Sequence, residues 1–305
     1  MNNKLLVLGT IAYDSIESPS GKAKKILGGC ATYIGLSASK FKTSCCLVSI
    51  VGEDFKNSYV KLLESNGLDT SGVDFIPNEK TFFWSGRYLD NLNDRITLDT
   101  QLNVLTKFKP VVPSKFLDAS IVLLGNLDPN HQLDVLNQMK NPKFVIMDTM
   151  NFWIEGYRKK LDEIISKVDL ISVNDEEARQ LTNSQSIIDS ANKLQAMGPK
   201  NVIIKKGEHG AILFCDKKIF QVPAFPIKKI FDPTGAGDSF IGGFAGSLSE
   251  KKQVSFQAMK TAAVVGSAIA SFTVKQFGTK ELENLTLLKL NKRIKEFKSL
   301  TDFEI

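Results

Sequence analysis

The sequence is poor in the residues that build metal centres and disulfide scaffolds. Its 305 residues include four cysteines and two histidines. The cysteines have neither the paired spacing of zinc ligands nor the density of a disulfide-stapled protein, which excludes both classes. Cys45 and Cys46 are neighbours in an apolar stretch, and this indicates buried free thiols. Two histidines are too few for a histidine-rich metal site.

Long hydrophobic runs and concentrated charge are also absent. Apolar runs such as Ile121–Leu124 fall far short of the roughly 18–20 residues needed to cross a bilayer. The first nine residues lack the apolar region and cleavage site of a signal peptide. The net charge is +6, without a basic arm or stripe, which argues against nucleic-acid binding. We therefore predict a cytoplasmic protein that binds neither a membrane nor nucleic acid.

The chain does have the composition of a globular protein, with 43% hydrophobic and 24% charged residues. Short apolar runs flanked by Gly, Asp or Asn are typical of strands buried on both faces of a parallel sheet. The runs are Leu5–Leu8, Cys45–Val51, Ile121–Leu124, Phe144–Met147, Leu170–Val173 and Val202–Ile204. Amphipathic segments of helical length lie between them, at 56–66, 130–140, 157–167 and 186–196. This alternation predicts an α/β fold with a doubly wound, mostly parallel sheet flanked by helices.

Residues 80–105 interrupt the alternation. Thr81–Tyr88 and Arg95–Thr100 are typical of two strands joined by a polar turn. We interpret this hairpin as a small β lid, inserted in a single domain that spans residues 1–305. The alternative is an edge hairpin of the main sheet. Near the end of the chain, Thr286–Leu300 is predicted to be a docking helix, with one apolar stripe formed by Leu287, Leu290, Ile294 and Phe297.

The most informative segment is Phe231–Phe240, where Gly235-Ala236-Gly237-Asp238 precedes a stretch of helical composition. The start of a helix presents unpaired N–H groups and the positive end of the helix dipole, and small residues let an anion approach closely. A carboxylate at such a place can accept a proton from a hydroxyl group. An ordinary N-capping Asp is the alternative. The segment matches neither a Rossmann fingerprint nor a Walker loop.

Five motifs, taken in order, resemble those of the ribokinase (PfkB) family of sugar and nucleoside kinases. Asp232–Phe240, followed by Gly-Gly-Phe, is similar to the C-terminal signature of the family, and Leu27–Ala31 to its N-terminal Gly-Gly motif. The other matches are Val51–Phe55 with the segment after it, Asn174–Glu177 as an Asn-x-x-Glu motif, and Lys206–Gly210 as a Gly-x-x-Gly turn. The resemblance implies a ribokinase-like fold and phosphoryl transfer from ATP to a hydroxyl group.

The resemblance also implies roles at the reacting end of the site. Asp238 is expected to accept the hydroxyl proton, and the backbone N–H groups of Gly235–Gly237 to bind the phosphoryl group in transfer. Asn174 and Glu177 are expected to hold Mg²⁺ largely through water. For Asn174 alone, a helix cap is the alternative.

Further positions are implied on the nucleotide side. Residues of one turn are expected to border ATP, namely Lys206, Gly207 and Gly210. Gly266 either lies against the adenine or allows a close contact between two helices. Asp232 is at a family position often linked to a monovalent cation such as K⁺. Pro233 stands where many members have Thr, which leaves the cation open.

On the acceptor side, the resemblance implies that Asp14 binds substrate hydroxyls and that Gly28 and Gly29 contact the substrate through their backbone. Many sugar kinases of the family have Asn where this chain has Tyr33. Tyr33 is therefore a candidate substrate contact that departs from the common sugar pattern. Asn126, after a predicted strand, is a further candidate.

Arginine is scarce, and two of the five arginines, Arg87 and Arg95, fall in the predicted lid. Arginine suits bidentate binding of carboxylate or phosphate, so Arg87 is a candidate substrate contact. A solvent-facing strand position is the alternative for both. We expect the lid to exclude water from the reaction, and the acceptor to protect the hairpin from exchange more than ATP does.

Together these features predict a kinase that uses ATP and Mg²⁺ to phosphorylate a hydroxyl group of a small carbohydrate. A nucleoside kinase is the first alternative, since aromatic residues of the hairpin could stack on a base, namely Phe82, Phe83, Trp84 and Tyr88. A catalytically inactive family member that only binds its ligand is the second. The protein is expected to be a monomer or a homodimer.

Overall fold

The computed structural model describes residues 3–302 and 304. The strands are β1 (Lys4–Leu8), β2 (Ala12–Ser18), β3 (Gly21–Gly28), β4 (Ser44–Gly52), β5 (Leu68–Ile76), β6 (Phe83–Tyr88), β7 (Arg95–Gln101), β8 (Ile121–Leu124), β9 (Phe144–Asp148), β10 (Leu170–Asn174), β11 (Asn201–Lys205), β12 (Ala211–Cys215) and β13 (Lys218–Val222). The helices are α1 (Cys30–Ala38), α2 (Asn57–Ser65), α3 (Pro129–Gln138), α4 (Asn151–Gly156), α5 (Arg158–Ile165), α6 (Asp175–Thr182), α7 (Ile187–Ala196), α8 (Ala236–Ser249), α9 (Phe256–Thr273), α10 (Lys280–Glu283) and α11 (Leu287–Thr301).

The main sheet has nine strands within these residues, in the order β13-β12-β11-β10-β9-β8-β1-β4-β5. The seven strands from β11 to β5 in this order run parallel, and β12 and β13 pair antiparallel at one edge. All six apolar runs singled out in the sequence are strands of this sheet. Parallel strands end on the same side of a sheet, so the loops that follow β1, β8, β9, β10 and β11 lie along one edge.

Helices cover both faces of the sheet, as a doubly wound fold requires. Leu5 and Val7 of β1 pack with α1, α8, α9 and α11, whereas Leu6 and Leu8 pack with α3, α5, α6 and α7. All four side chains are fully buried. Since successive residues of a strand face opposite sides, a short apolar run supplies both halves of the core. The α/β class and the doubly wound sheet predicted from the sequence are confirmed.

The predicted hairpin is formed by β6 and β7, and it belongs to a second sheet with the order β3-β2-β6-β7. It therefore does not extend the edge of the main sheet. The sequence indicated only half of this sheet, because β2 and β3 carry no long apolar run. Strand β3 contains three lysines, and only its last two residues are buried. Strand β2 pairs parallel with β6 and antiparallel with β3.

The C-terminal helix is confirmed, with one change to its predicted stripe. Leu290 and Phe297 are buried, but Leu287 is 49% exposed because it is the first residue of α11 and lies beyond the surface that the helix covers. Cys45 and Cys46 are buried free thiols, as predicted. In the part of the chain that the structure describes, no helix has both the length and the hydropathy needed to cross a membrane.

Candidate active site

The candidate site lies where the parallel strands end. Asp148, Asn174 and Lys205 are the last residues of β9, β10 and β11. Because neighbouring parallel strands end at one edge of the sheet, these side chains come together there. The first turn of α8 reaches the same edge, since a Cβ atom placed on Gly237 would lie 3.3 Å from Lys205 Nζ.

Helix α8 begins with free backbone donors. Gly235, the residue before the helix, has φ +73°, a conformation that glycine adopts without strain. The N–H of Ala236 donates to the carbonyl of Pro233 at 3.1 Å, so this predicted member of the anion site is already bonded. Within residues 3–302, no protein group accepts from the N–H groups of Gly235 or Gly237. These two donors, at the positive end of the helix dipole, are available to an anion.

Asp238, the predicted base, lies partly buried in the first turn of α8. Burial raises the pKa of its carboxyl to about 7, and the negative charge of Asp148 acts in the same direction. The positive charges of Lys205 and Arg95 oppose this rise. A carboxyl group with a pKa near 7 is partly ionised at neutral pH and can accept a proton from a hydroxyl group.

Lys205 is a cation that the sequence did not indicate. Its Nζ donates to Asp148 Oδ2 at 2.7 Å, and the side chains are only 16% and 5% exposed. Burial by itself would lower the pKa of Lys205, but Asp148 and Glu177 outweigh that effect and raise it. The lysine therefore stays charged beside the start of α8. The available signal was a single charged residue at the end of an apolar strand, at the edge where ligands bind.

Asn174 and Glu177 hold each other at the start of α6. Asn174 Oδ1 accepts from the Glu177 N–H at 2.7 Å, and Glu177 Oε2 accepts from the Asn174 N–H at 2.8 Å. This capping box confirms the structural alternative for Asn174. Burial raises the pKa of Glu177, while the nearby Lys205 lowers it. The pair thus places a buried carboxyl group next to the Lys205–Asp148 ion pair.

Asp14 lies against the predicted Gly-Gly motif on the acceptor side. Its carboxyl group contacts the α-carbon region of Gly28 so closely that a Cβ atom there would overlap it. Gly29 has φ +90° and begins α1, and its N–H stabilises the Asp14 carboxylate. Burial nevertheless raises the pKa of Asp14 to about 7, together with the negative charges of Asp232 and Asp238. Asp14 and Asp238 therefore share one electrostatic environment.

Tyr33 is buried at the centre of this environment. Its ring covers the α-carbon of Gly235, and its side chain is 1% exposed. Burial and the surrounding carboxylates of Asp232 and Asp14 raise the pKa of Tyr33 well above its ordinary value. The Tyr33 hydroxyl has no hydrogen-bond partner among the described residues. An unpaired buried hydroxyl is costly, but this oxygen is enclosed by protein, and the substrate contact expected of Tyr33 stays a prediction.

The second sheet covers the site with one of its faces. Tyr88 of β6 reaches down to the start of α8, where its hydroxyl is 3.1 Å from Thr234 Oγ1. Arg95 is directly opposite Tyr88 across the hairpin and so shares its face. Its charge lowers the pKa of Asp238 and of Glu177. The hairpin thus places an arginine near the reacting carboxyl group.

Arg87 lies outside the site for which the sequence made it a candidate. It lies between Gly86 and Tyr88, so its side chain leaves the opposite face of β6. There its Nε donates to Glu17 Oε2 at 2.7 Å, with both side chains solvent-accessible. The alternative of a solvent-facing strand position is therefore correct for Arg87.

Asn126 is held by protein groups. Its Oδ1 accepts from Trp153 Nε1 at 2.9 Å, and its Nδ2 lies 3.1 Å from the sulfur of Met150. The side chain therefore anchors α4 after β9. Its Oδ1 keeps a second lone pair and its Nδ2 a second N–H, so the substrate contact expected of Asn126 stays a prediction.

Asp232 connects two loops beneath the start of α8. Its Oδ1 accepts from the Thr234 N–H at 2.8 Å and its Oδ2 from the Gly278 N–H at 3.0 Å. The carboxyl group is 1% exposed, and burial raises its pKa. Asp232 therefore joins the loop before α8 to the loop that contains Gly278.

A cavity of about 550 Å³ opens beside the start of α8, a volume in the range of small-molecule sites. Its polar end is formed by Lys205, Ala236 and Gly237, and its apolar walls include Ala224, Ile227, Ala270 and Val274. Gly207 and Gly210 are among its lining residues and Lys206 is not, and the expected contact of these three residues with ATP stays a prediction. Gly266 packs against the backbone of α8, where a Cβ atom would be 2.5 Å from Phe240 O. Of its two predicted roles, the helix contact is the one observed.

An α/β kinase of small molecules is the class that these features support, because a helix start with free N–H groups, a charged lysine and a titratable carboxyl group meet beside the 550 Å³ cavity. The chain belongs to the pfkB family of carbohydrate kinases, whose family model matches residues 2–285. It is therefore a phosphotransferase with a hydroxyl group as acceptor, as the sequence predicted.

Known proteins similar to this chain include nucleoside kinases. A cytidine kinase from Thermococcus kodakarensis is 33% identical over 251 residues, which cover 80% of this chain and 88% of the relative. A nucleoside kinase from Methanocaldococcus jannaschii is 28% identical and covers 87% of this chain and 83% of the relative. A putative ribokinase II from E. coli, solved in complex with ATP and Mg²⁺, has a TM-score of 0.80 at 18% identity and covers 96% of this chain and 99% of that chain.

Proposed function

We propose that the protein transfers the γ-phosphoryl group of ATP to a hydroxymethyl group of a nucleoside. The sequence alone favours a small carbohydrate, with a nucleoside as the alternative. The similarity to a cytidine kinase and a nucleoside kinase supports the alternative better. The single observation that carries the chemistry is Asp238, a carboxyl group with a raised pKa in the first turn of α8 and within electrostatic reach of Asp14.

The donor phosphates would occupy the polar end of the 550 Å³ cavity. There the N–H groups of Gly235 and Gly237, together with Lys205 Nζ, can stabilise negative charge as it develops on the transferred group. Stabilisation of this kind supplies most of the catalysis in phosphoryl transfer. The ion pair with Asp148 keeps Lys205 in place before the nucleotide arrives.

The acceptor would lie on the other side of Asp238. Asp238 takes the proton of the attacking hydroxyl, while the Asp14 carboxylate binds another hydroxyl group of the same substrate. In many sugar kinases of the family, an Asn occupies the position of Tyr33. A buried aromatic ring there leaves less room around the sugar, which supports an acceptor different from a free sugar.

Mg²⁺ fits the residues near the donor phosphates only through water. In the described residues, no three His, Cys, Asp or Glu side chains converge to ligate a metal directly. Glu177 is a buried carboxyl group with a raised pKa, and it would gain from a nearby divalent cation. Glu177 and Asn174 would thus orient waters of the hydrated ion, which neutralises phosphate charge when bound. The complex of the similar E. coli protein with ATP and Mg²⁺ supports this proposal.

A monovalent cation such as K⁺ is proposed at Asp232. The buried carboxyl group and the two loops that it joins fit a cation without a strong geometric preference. The test compares turnover in about 100 mM KCl with turnover in the same concentration of tetramethylammonium chloride. The two salts screen charge equally, so only the identity of the cation differs. Equal turnover in the two salts would remove the cation from the proposal.

The proposed function is tested by a phosphorylation screen with ATP and Mg²⁺ over cytidine, uridine, adenosine, inosine, ribose and fructose. Product formation is measured by mass spectrometry, and Asp238→Asn is the matched control for contaminating kinases. We expect a nucleoside to have the highest kcat/KM, by at least about tenfold over either sugar, the ratio that one extra hydrogen-bonded group provides.

Two outcomes contradict this proposal. If a sugar is the preferred acceptor, the protein is a carbohydrate kinase, the activity after which the pfkB family is described. Absence of any product, with a nucleotide still bound, would indicate the inactive family member.

A further inference from the structure

The turn of the β6–β7 hairpin lies on the nucleotide side of the site. Asn91, Leu92 and Asn93 line the same 550 Å³ cavity as Gly207 and Gly237. The strands of this hairpin cover the start of α8 through Tyr88. One hairpin therefore reaches both halves of the site, and its turn reaches the half assigned to the donor.

Asn93 makes the nearest approach across the cavity mouth. Its Oδ1 would lie 2.9 Å from a Cβ atom placed on Gly207. Gly207 follows Lys205 by two residues, and Lys205 Nζ lies beside Gly237 at the phosphate end. The Asn93 amide thus lies at the part of the cavity wall formed by Gly207, two residues after Lys205.

The turn is built so that the Asn93 side chain stays free. Asn91 Oδ1 accepts from the N–H groups of Asn93 at 3.1 Å and Asp94 at 3.0 Å, and Asn91 Nδ2 donates to Asp94 Oδ2 at 2.8 Å. Leu92 has φ +57°, an uncommon conformation for a residue with a Cβ atom. Asn91 thus organises the backbone, while the Asn93 amide has no hydrogen-bond partner among the described residues.

We propose that residues Asn91–Asn93 of the hairpin turn are part of the donor-nucleotide site, with the Asn93 amide bound to the ribose–phosphate portion of the nucleotide. Arg95, the next residue after the turn, shares the face of Tyr88 and lies within electrostatic reach of Asp238. The nucleotide, and not the acceptor, therefore orders this turn. The inference rests on the proposed binding of ATP in the 550 Å³ cavity.

The first test is nucleotide binding without an acceptor. Isothermal titration calorimetry with ADP and Mg²⁺ compares the wild type with Asn93→Ala and with Asp90→Ala, a change in the same turn at an exposed residue outside the cavity wall. Loss of one net hydrogen bond predicts an affinity about two- to tenfold weaker for Asn93→Ala, and unchanged for Asp90→Ala. The KM for the acceptor should stay unchanged in both variants.

The second test is hydrogen exchange of residues 86–97. ADP with Mg²⁺ alone should slow exchange in the turn, and the acceptor alone should not, which reverses the order expected from the sequence. Wild-type affinity of Asn93→Ala, or protection of the turn by the acceptor alone, overturns the inference. If the wild type binds ADP without protecting the turn, the inference fails and the kinase function stands. If the wild type binds no ADP, both fail.

Discussion

Asp238 is subject to two opposing requirements, one from the reaction and one from the fold. Burial raises the pKa of its carboxyl group to about 7, which suits a base at neutral pH. The same burial disfavours the ionised form, so the folded protein is less stable when Asp238 is charged. Catalytic groups commonly have this cost in stability.

The first prediction concerns Asp238→Asn. Turnover should fall about 10²–10⁴-fold, the usual effect of losing a general base, while ADP affinity stays nearly unchanged. The melting temperature at pH 8 should rise by a few degrees, because the amide does not have the burial cost of the carboxylate. Kinetics and differential scanning calorimetry measure the two effects. Turnover within about threefold of the wild type would show that Asp238 is not the base.

The second prediction concerns Gly28, which the Asp14 carboxyl group covers. Gly28→Ala should raise the KM for the acceptor by about 10–100-fold, because the methyl group displaces Asp14 and its charge-assisted hydrogen bond to the substrate is lost. Nucleotide affinity serves as the internal control, since Gly28 does not line the donor cavity. An unchanged acceptor KM in a folded variant would remove Asp14 from the acceptor site.

At the scale of elements, α1 and α8 together determine the geometry of the site. Gly29 begins α1 on the acceptor side and Gly235 precedes α8 on the donor side. The two helices pack backbone to backbone, since a Cβ atom on Gly242 would lie 2.5 Å from Ile34 O and 2.7 Å from Ile34 Cα. The distance between the two helix starts therefore depends on the absence of a side chain at Gly242.

The third prediction is that Gly242→Ala lowers the free energy of unfolding by about 1–3 kcal/mol, the range for overpacking. It should also lower turnover, because α1 and α8 move apart and the acceptor shifts relative to the phosphates. The matched control is Gly156→Ala at the end of α4, where a Cβ atom would meet nothing within 4 Å. Urea denaturation and steady-state kinetics compare the two variants. Equal stability of Gly242→Ala and wild type would contradict the packing argument.

At the scale of the whole molecule, the site concentrates carboxyl groups whose pKa values are raised mainly by burial, namely Asp14, Glu177, Asp232 and Asp238. Between about pH 4 and pH 7 these carboxyl groups bind more protons in the folded protein than in the unfolded chain. The free energy of unfolding therefore falls as pH rises through this range. The stabilisation that the protonated carboxyl groups provide is lost above their pKa values in the folded protein.

The fourth prediction isolates this effect from exposed groups. The free energy of unfolding of the ligand-free wild type, relative to that of Asp14→Asn/Asp238→Asn, should decrease from pH 5 to pH 8. The amides cannot titrate, so the difference between the two proteins reports these two carboxyl groups. Urea denaturation at unit pH steps provides the measurement. A difference that does not change with pH would show that the two groups are not held protonated by the fold.

Much of the main sheet was predictable, since a strand buried on both faces needs an uninterrupted apolar run, as in Leu5–Leu8 and Ile121–Leu124. The position of the helix start at Gly235–Gly237 was predictable for a similar reason. A helix start built from Gly235-Ala236-Gly237 requires local backbone properties that residue types themselves determine. The number of domains, and whether the protein is a monomer or a homodimer, stay predictions.

The sequence by itself determined the features that depend on neighbours along the chain: the apolar strands, the helix starts and the Gly28-Gly29 and Gly235–Gly237 turns. Tertiary structure decided which distant side chains meet. Residue type alone did not distinguish Lys205 from Lys206, or Arg95 from Arg87. Only the placement of the strands shows that Lys205 ends β11 beside Asp148 and that Arg95 shares the face of Tyr88, opposite to that of Arg87. Strands β2 and β3 escaped prediction because they do not depend on a local apolar run: β2 pairs with β6, far away in the chain, and β3 pairs with β2.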